Sequence, residues 1–300
     1  MVSERPRAVE VAAQAKINLH LRILAREASG YHQIETLFHR IALADVVRVR
    51  RTSGERSLDI TGDVDMAALG PTERNLAWRA AEAYFGDSGL DGGFAIELEK
   101  RIPVGGGLGG GSADAGAVLR ALDALTEHPI GEARLIQLAA ALGSDVPFLA
   151  SEHACALAWG RGEQMLALSP PSRREVRLLL PSFAVSTADA YGWFASDRER
   201  GAQRAGAHVL HPPQLERWDS LTHIAINDFE PVVAARHPEI ARILAEQRAD
   251  PSVELAMLSG SGSSMFAILR GSASPTNDVT GTQSVMTRTV LRVEPPSRIE

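Results

Sequence analysis

The residues best suited to chemistry lie between Lys100 and Leu119, in the stretch KRIPVGGGLGGGSADAGAVL. Six of the seven residues from Gly105 to Gly111 are glycine, interrupted only by Leu108. Without Cβ atoms in the way, backbone N–H groups can approach a ligand closely. The run before the loop, Phe94 to Glu99, is β-rich. The run after it, Ala113 to Leu125, reads as a helix with Ala117, Leu119, Leu122 and Leu125 available for a buried face. Strand, glycine loop and helix start form an anion-binding arrangement. The free N–H groups of a first helical turn and the helix dipole behind them both favour phosphate. Ser112 stands where an N-cap belongs, so its hydroxyl either caps the helix or meets a phosphate. The bland alternative is a flexible linker, which is not usually bracketed by a strand and a strong helix former.

Several other chemistries fail on particular residues. A P-loop ends in Gly-Lys-Ser/Thr, and here Gly111-Ser112 follow without the lysine. Gly105, Gly107 and Gly110 match the dinucleotide fingerprint in form. That site also needs a second strand and an acidic residue roughly 20 residues on, whereas the chain passes into another helix near 130–142. A protein-kinase loop needs HRD and DFG motifs downstream, and neither occurs. Around Ser261, a hydrolase nucleophile elbow would need glycines two places to either side, where Ser259 and Ser263 stand.

Four further places carry polar groups of interest. Lys16 and Asn18 stand two apart in the alternating run Val9 to Leu24, so they share one face of a strand; alone, the lysine reads as an edge or snorkelling residue. Tyr31 and His32 follow the turn signal Ser29-Gly30, and alone read as β packing. Asp145, between Ser144 and Val146-Pro147-Phe148, alone reads as an N-cap. Tyr191 falls on a short helix, Ala188 to Phe194, capped by Ser186-Thr187, with core packing as its competing reading.

These groups must be positioned by elements that patterning locates only coarsely. Ile41 to Arg50 reads as a strand, Ser53 to Met66 as polar and turn-rich, and Ala77 to Phe85 as a helix opened by Asn75. Leu135 to Leu142 reads as a helix closed by Gly143 as a C′ glycine. Gly160-Arg161-Gly162-Glu163 is a tight turn, and Ser169-Pro170-Pro171-Ser172 marks a boundary that divides the chain into 1–168 and 169–300. Beyond it come a strand, Val176 to Leu180, and a polar surface loop, Arg198 to Gln214. Helical text then runs to Gln247. Two strands, Glu254 to Leu258 and Met265 to Leu269, flank a Ser-Gly-Ser-Gly-Ser loop, and a last strand lies within Val285 to Val293. Segment 271–284 is polar and low in complexity.

Composition sets outer limits. Three hundred residues suit two moderate domains, with 45% hydrophobic and 23% charged residues as in an ordinary globular chain. A net charge of −6 and 5% aromatics argue against a nucleic-acid platform. Cys155 is the single cysteine, so there is no disulfide framework, and its apolar setting points to core packing. No signal core and no span of about 20 apolar residues is evident, which makes the cytoplasm the default expectation and a membrane an unexpected partner.

Taken together, the motifs resemble the GHMP kinases of small molecules. Pro103, Gly107, Leu108, Gly109 and Ser112 match their phosphate loop. Ala15-Lys16-Ile17-Asn18-Leu19, Gly30-Tyr31-His32, Leu142-Gly143-Ser144-Asp145-Val146-Pro147 and Ser259-Gly260-Ser261-Gly262-Ser263 follow in family order, over roughly Gln14 to Leu269. The resemblance implies a two-domain α+β fold, with an N-terminal domain like ribosomal protein S5 domain 2, a ferredoxin-like C-terminal domain and the site between them. It implies ATP as phosphate donor, with Mg²⁺, and a small-molecule alcohol as acceptor. It assigns ATP binding to Pro103, Val104, Gly105, Gly106, Gly107, Leu108, Gly109, Gly110, Gly111, Ser112 and Ala113, with Asn75 and Lys100 beside the nucleotide; for Lys100 a surface lysine is the competing reading. Asp145 becomes the catalytic base and Lys16 the cation beside it, offsetting charge on the transferred group. Asn18 becomes a polar contact to the acceptor. Tyr31, His32 and Tyr191 would hold a cytidine unit, which only one branch of these kinases needs, since aromatic faces stack on bases and polar groups read their edges. Ser29 departs from that branch's usual aspartate. The same resemblance places a helix before the last strand.

Overall fold

A computed structural model describes residues 8–27, 32–62, 64, 69–201, 210–271 and 281–299. Strands β1 (Ala8–Arg26) and β2 (His32–Thr52) form one long antiparallel pair. The segment read as starting at Ile41 is the second half of β2. From Val9 to Leu19 the odd positions of β1 are apolar and enter the main core, while Gln14, Lys16, Asn18 and His20 fill the opposite face and are buried as well. The β1–β2 register shifts between Gln14 and Lys16 and again between Asn18 and His20. Such bulges re-aim side chains and free ladder groups for other partners.

β2 is long enough to serve two partners on its second edge. Residues Ile34 to His39 pair with β5 (Cys155–Gly160), and Val46 to Thr52 pair with β4 (Gly93–Lys100). β6 (Gln164–Ala167) extends β5. The stretch read as polar and turn-rich contains a strand, β3 (Arg56–Gly62), parallel to β4. Its alternation is weak, because at this sheet edge even Leu58 and Ile60 are only half-buried. Helices α1 (Leu76–Ser88), α2 (Gly110–Leu125), α3 (Glu132–Ala140) and α4 (Val146–Ala150) cover this sheet, with α2 against β1, β2, α1 and α4. Gly116 permits that last contact, because a Cβ there would lie 2.5 Å from the Leu149 carbonyl. Two helix ends differ from expectation. α2 starts at Gly110 with Gly109 as N-cap at φ 75°, so Ser112 lies inside the first turn. α3 ends on Ala141 in right-handed conformation, and Gly143 is not among the left-handed glycines.

The second sheet runs β10 (Gln283–Arg288), β7 (Glu175–Leu180), β9 (Met265–Leu269), β8 (Val253–Leu258), all antiparallel. Between β7 and β8 lie α5 (Thr187–Glu199), α6 (Pro212–Leu215), α7 (Trp218–Ile224), α8 (Glu230–Arg236) and α9 (Pro238–Ala249). This strand order is that of the ferredoxin-like β-α-β-β-α-β unit. The helix expected before the last strand falls largely on residues 272–280, outside the described residues, as does 202–209 of the expected surface loop. Sheet membership departs from the 168/169 division in two places. Leu21, Ile23 and Ile34, at the far end of the β1–β2 pair, belong to the second core. The chain end returns: Val290 N–H donates to the Arg40 carbonyl at 3.2 Å, and β11 (Ser297–Ile299) pairs with β1. Among the described residues no helix is long and apolar enough to cross a membrane.

His39 and Arg40 sit fully buried on β2. Arg40 donates to the carbonyls of Phe148, Ser151 and His153 at 2.8 to 2.9 Å, tying down the C-terminal end of α4. His39 Nδ1 donates to the Arg40 carbonyl at 2.8 Å, and its Nε2 has no partner among the described residues. Burial pushes the His39 pKa down to about 4, against 6.5 when unperturbed. The unfolded chain therefore takes up a proton before the native state does. The corresponding stability, about 3 kcal/mol, is fully present above pH 6.5 and is lost as the pH falls to about 4. His39→Leu is expected to flatten this acid limb. Urea midpoints measured from pH 7 to pH 4 should fall less steeply in the variant, and parallel curves would assign the limb to other groups.

Candidate active site

The glycine loop lies in a cleft of about 880 Å³ between the two sheets' domains, within the range of small-molecule sites. Gly105, Gly107 and Gly109 have φ of 77°, 76° and 75°, while the residues between them do not, an alternation that curls successive N–H groups inward as an anion nest. The carbonyls are tied on the protein side. Gly106 O accepts from Ser264 N at 3.2 Å, Leu108 O from Lys16 N at 3.0 Å and Gly109 O from Ala113 N at 2.8 Å. Gly107 O accepts from Lys16 Nζ and Ser259 Oγ, both at 3.0 Å. In a trans peptide the following N–H points the opposite way, so the N–H groups of residues 107 to 110 face away from these partners. Glycine is required here for a second reason. A Cβ on Gly106 would lie 2.3 Å from Ser264 Oγ, and one on Gly107 2.2 Å from Ser259 O. The Ser-Gly-Ser-Gly-Ser loop between β8 and β9 thus rests directly on the phosphate loop. Asn227 holds it there, donating to Leu258 O at 2.9 Å and Gly260 O at 2.8 Å.

Lys16 and Asp145 meet in this cleft. Nζ lies 3.2 Å from Asp145 Oδ2, with the lysine 3% and the aspartate 28% exposed. The ammonium's three N–H groups face Asp145, Asn18 Oδ1 at 2.8 Å and Gly107 O at 3.0 Å. Asn18 is oriented in turn, donating to Thr36 Oγ1 at 2.8 Å, whose hydroxyl donates to His20 O at 2.8 Å. Asp145 occupies the N-cap position of α4 yet makes no capping hydrogen bond, which leaves its carboxylate to the cleft.

Lys100 is not a surface lysine. It is buried between Asp45 and Asp114, with its ammonium hydrogen-bonded to Asp45 Oδ2 and to Asp114 Oδ2 at 2.7 Å. Asp45 Oδ1 also accepts from the Arg101 and Ile102 N–H groups at 2.5 and 2.7 Å, at the entrance to the glycine loop. Burial works against the lysine charge, but Asp114 and Asp45 together hold its pKa above the ordinary range. Burial pushes Asp114 up to about 8, and its Oδ1 has no partner among the described residues. The cluster straps the two ends of the loop, residues 100–102 and Asp114, to β2.

The cleft lining contains Lys16, Asn18, Asn75, Lys100, Pro103 to Ser112, Asp145 and Tyr191. Asn75 caps α1 with Oδ1, accepting from Ala77 N at 2.9 Å, so its amide N–H groups remain available. Ala113 is not part of the lining; its side chain is buried in the core. Tyr31 lies outside the described residues. His32 stacks on Tyr191, ring centroids 4.3 Å apart at 13°, and Phe229 packs edge-on against Tyr191 at 4.8 Å. Burial, then the nearby Asp145 carboxylate, pushes the Tyr191 hydroxyl up to about 12. Asp45, Asp114 and Thr36 have no role in the sequence reading, and Ser259 enters it only within the Ser-Gly-Ser-Gly-Ser motif. For Asp45 a signal existed: it interrupts the apolar side of β2 formed by Ile41, Leu43, Val47 and Val49.

Residues 75–153 match the model of the GHMP kinases N terminal domain. Over 268 residues the chain is 36% identical to 4-diphosphocytidyl-2-C-methyl-D-erythritol kinase of Desulfotalea psychrophila, covering 88% of this chain and 86% of that one. It is 38% identical over 268 residues to the kinase of the same name from Desulfitobacterium hafniense, covering 87% of each. A crystal structure of 4-(cytidine 5'-diphospho)-2C-methyl-D-erythritol kinase superposes with a TM-score of 0.70 at 33% identity, over 87% of this chain and 90% of that one. Homoserine kinase from Cytophaga hutchinsonii superposes with a TM-score of 0.68 at 17% identity, over 100% of this chain and 99% of that one, a likeness of fold. With this fold, and at 36% and 38% identity over most of both relatives, the chain belongs to the 4-diphosphocytidyl-2-C-methyl-D-erythritol kinase family of GHMP kinases.

Proposed function

We propose that this chain transfers the γ-phosphoryl group of ATP to the 2-hydroxyl of 4-diphosphocytidyl-2-C-methyl-D-erythritol, giving the 2-phosphate and ADP, a step of the non-mevalonate route to isoprenoid precursors. The observation that carries this reading is the Lys16–Asp145 pair, 3.2 Å apart at the edge of a phosphate nest, in a chain of this family. In-line phosphoryl transfer asks mainly for positioning and charge stabilisation. The N–H groups of residues 107 to 110 hold the phosphates. Asp145 takes the proton from the acceptor hydroxyl as its oxygen attacks phosphorus and the bond to the ADP oxygen breaks. Lys16, held by Asn18 and Gly107, offsets the charge on the transferred group.

Mg²⁺ needs few protein ligands because it keeps several waters. Ser112 and Asp145 both line the cleft and fit that demand, and Mg²⁺ supplies charge neutralisation of the phosphates when bound. For the cytidine end, His32 already covers one face of Tyr191. A base therefore extends the stack on the outer face of His32 or displaces that ring.

The test is ADP release by the purified protein with MgATP and each of three alcohols: the cytidylated methylerythritol, mevalonate and homoserine. Turnover with the first alone is expected. Turnover with another alcohol keeps the kinase and removes the cytidine role of His32 and Tyr191. Absence of turnover from folded protein with all three overturns the reading.

A further inference from the structure

The loop carrying Asp145 is short. Gly143 O accepts from Val146 N at 3.2 Å, so residues 143–146 form a single turn before α4. Its cleft side holds the Asp145 carboxylate. Behind it lies the β5–β6 turn, Gly160 to Glu163. Gly162 N–H donates to Trp159 O at 3.2 Å, and Glu163 Oε2 accepts from Arg161 N at 2.7 Å, which closes the turn on itself. Gly162 has φ +110°, and a Cβ built on it would lie 2.1 Å from the Ser144 carbonyl oxygen and 3.0 Å from its carbon. The neighbour is backbone, not the end of a flexible side chain, and it belongs to the residue immediately before Asp145. The ion pair that braces the turn from outside, Arg161 with Glu27, is partly exposed at 46% and 24% and contributes little. Backbone contact is what seats the loop.

We infer that the β5–β6 turn is the rear wall of the catalytic loop and that Gly162 is a positioning residue that sets where the Asp145 carboxylate stands. This rests on the reading of Asp145 as the base. A side chain at Gly162 makes one of the two backbones retreat by about 1 Å, and a misplacement of that size costs on the order of 10²-fold when it reaches the reacting groups. The glycine loop is held by other partners, Ser259, Ser264 and Lys16, so nucleotide binding stays as it is.

The experiment compares Gly162→Ala, Gly131→Ala and Asp145→Asn with the parent enzyme, recording kcat, KM for ATP and for the alcohol, and thermal midpoint. Gly131 has φ +81° with nothing within 4 Å of a built Cβ, so its variant carries backbone strain without a displaced neighbour. Gly162→Ala is expected to lose about 10²-fold in kcat with KM for ATP unchanged, and Gly131→Ala to keep its kcat. Wild-type kcat in Gly162→Ala beside an inert Asp145→Asn overturns this inference alone. An active Asp145→Asn overturns the base assignment on which it rests. Parallel loss of kcat, ATP affinity and thermal midpoint, or an equal kcat loss in Gly131→Ala, marks a general structural role and also overturns it. Should Gly162→Ala not fold, Glu163→Ala replaces it, because it opens the turn at Arg161 N–H without adding an atom. A lowered kcat at constant KM for ATP is again expected, and an unchanged kcat overturns the inference.

Discussion

Asp145→Asn is expected to lower kcat by about 10²- to 10⁴-fold, the range of a lost general base, with KM for ATP nearly unchanged. Asparagine keeps the size of the side chain and can still accept from Lys16 Nζ, which stands 3.2 Å from Oδ2. What it cannot do is take up the acceptor's proton. In the proposed reading the phosphates bind through backbone N–H groups of the glycine loop, whose carbonyls are held by Lys16, Ser259 and Ser264 and not by Asp145. Lys16→Met is a poorer test for that reason. It removes a charge beside the transferred group and also the donor to Gly107 O, so kcat and nucleotide KM change together. Steady-state kinetics and single-turnover measurements on Asp145→Asn separate the two effects. A variant with parental kcat would reduce Asp145 to the helix-start role that its position before α4 suggests.

Lys100→Met is expected to destabilise the fold by about 3–5 kcal/mol at neutral pH, the usual penalty for breaking a buried ion cluster. The variant leaves Asp45, which is fully buried, and Asp114, 3% exposed, without their shared cation. Two buried carboxylates then repel unless one binds a proton. Asp114, pushed up to about 8 even beside the lysine, keeps its proton to higher pH in the variant, so the deficit should grow between pH 7 and pH 9. Denaturant midpoints of parent and variant at both pH values test this. A pH-independent deficit would mean that packing of the lysine stem, and not its charge, is what was lost. Asp45 keeps its bonds from the Arg101 and Ile102 N–H groups in this variant, so a rise in KM for ATP would report the lost tie between Lys100 and Asp114 across the glycine loop.

The amino-acid sequence by itself determined the parts of this protein whose physics is local. A glycine run between a strand and a helix needs no long-range information to read as a phosphate nest, because backbone freedom and helix-start N–H groups are properties of the segment. Period-2 alternation likewise placed Lys16 and Asn18 on one face of β1, opposite Ile17 and Leu19. The order of short motifs was enough to indicate the family and with it Asp145. Tertiary structure decided what those residues do to one another. Lys16 reaches Asp145 only because the bulges in β1, the turn before α4 and the loop above Gly107 converge. Lys100, plausible on the surface, became the centre of a buried cluster because Asp45 and Asp114 arrive from β2 and α2. Side-chain partners across elements depend on register and packing, which no local pattern encodes. β3 was missed because its outer face is exposed at a sheet edge and carries little alternation. The return of Ser297–Ile299 to β1 was missed because three residues carry no periodicity. His32 lies against Tyr191 for the same reason: the two rings come from different domains, and only the closing of the second core over the end of the β1–β2 pair brings them within 4.3 Å.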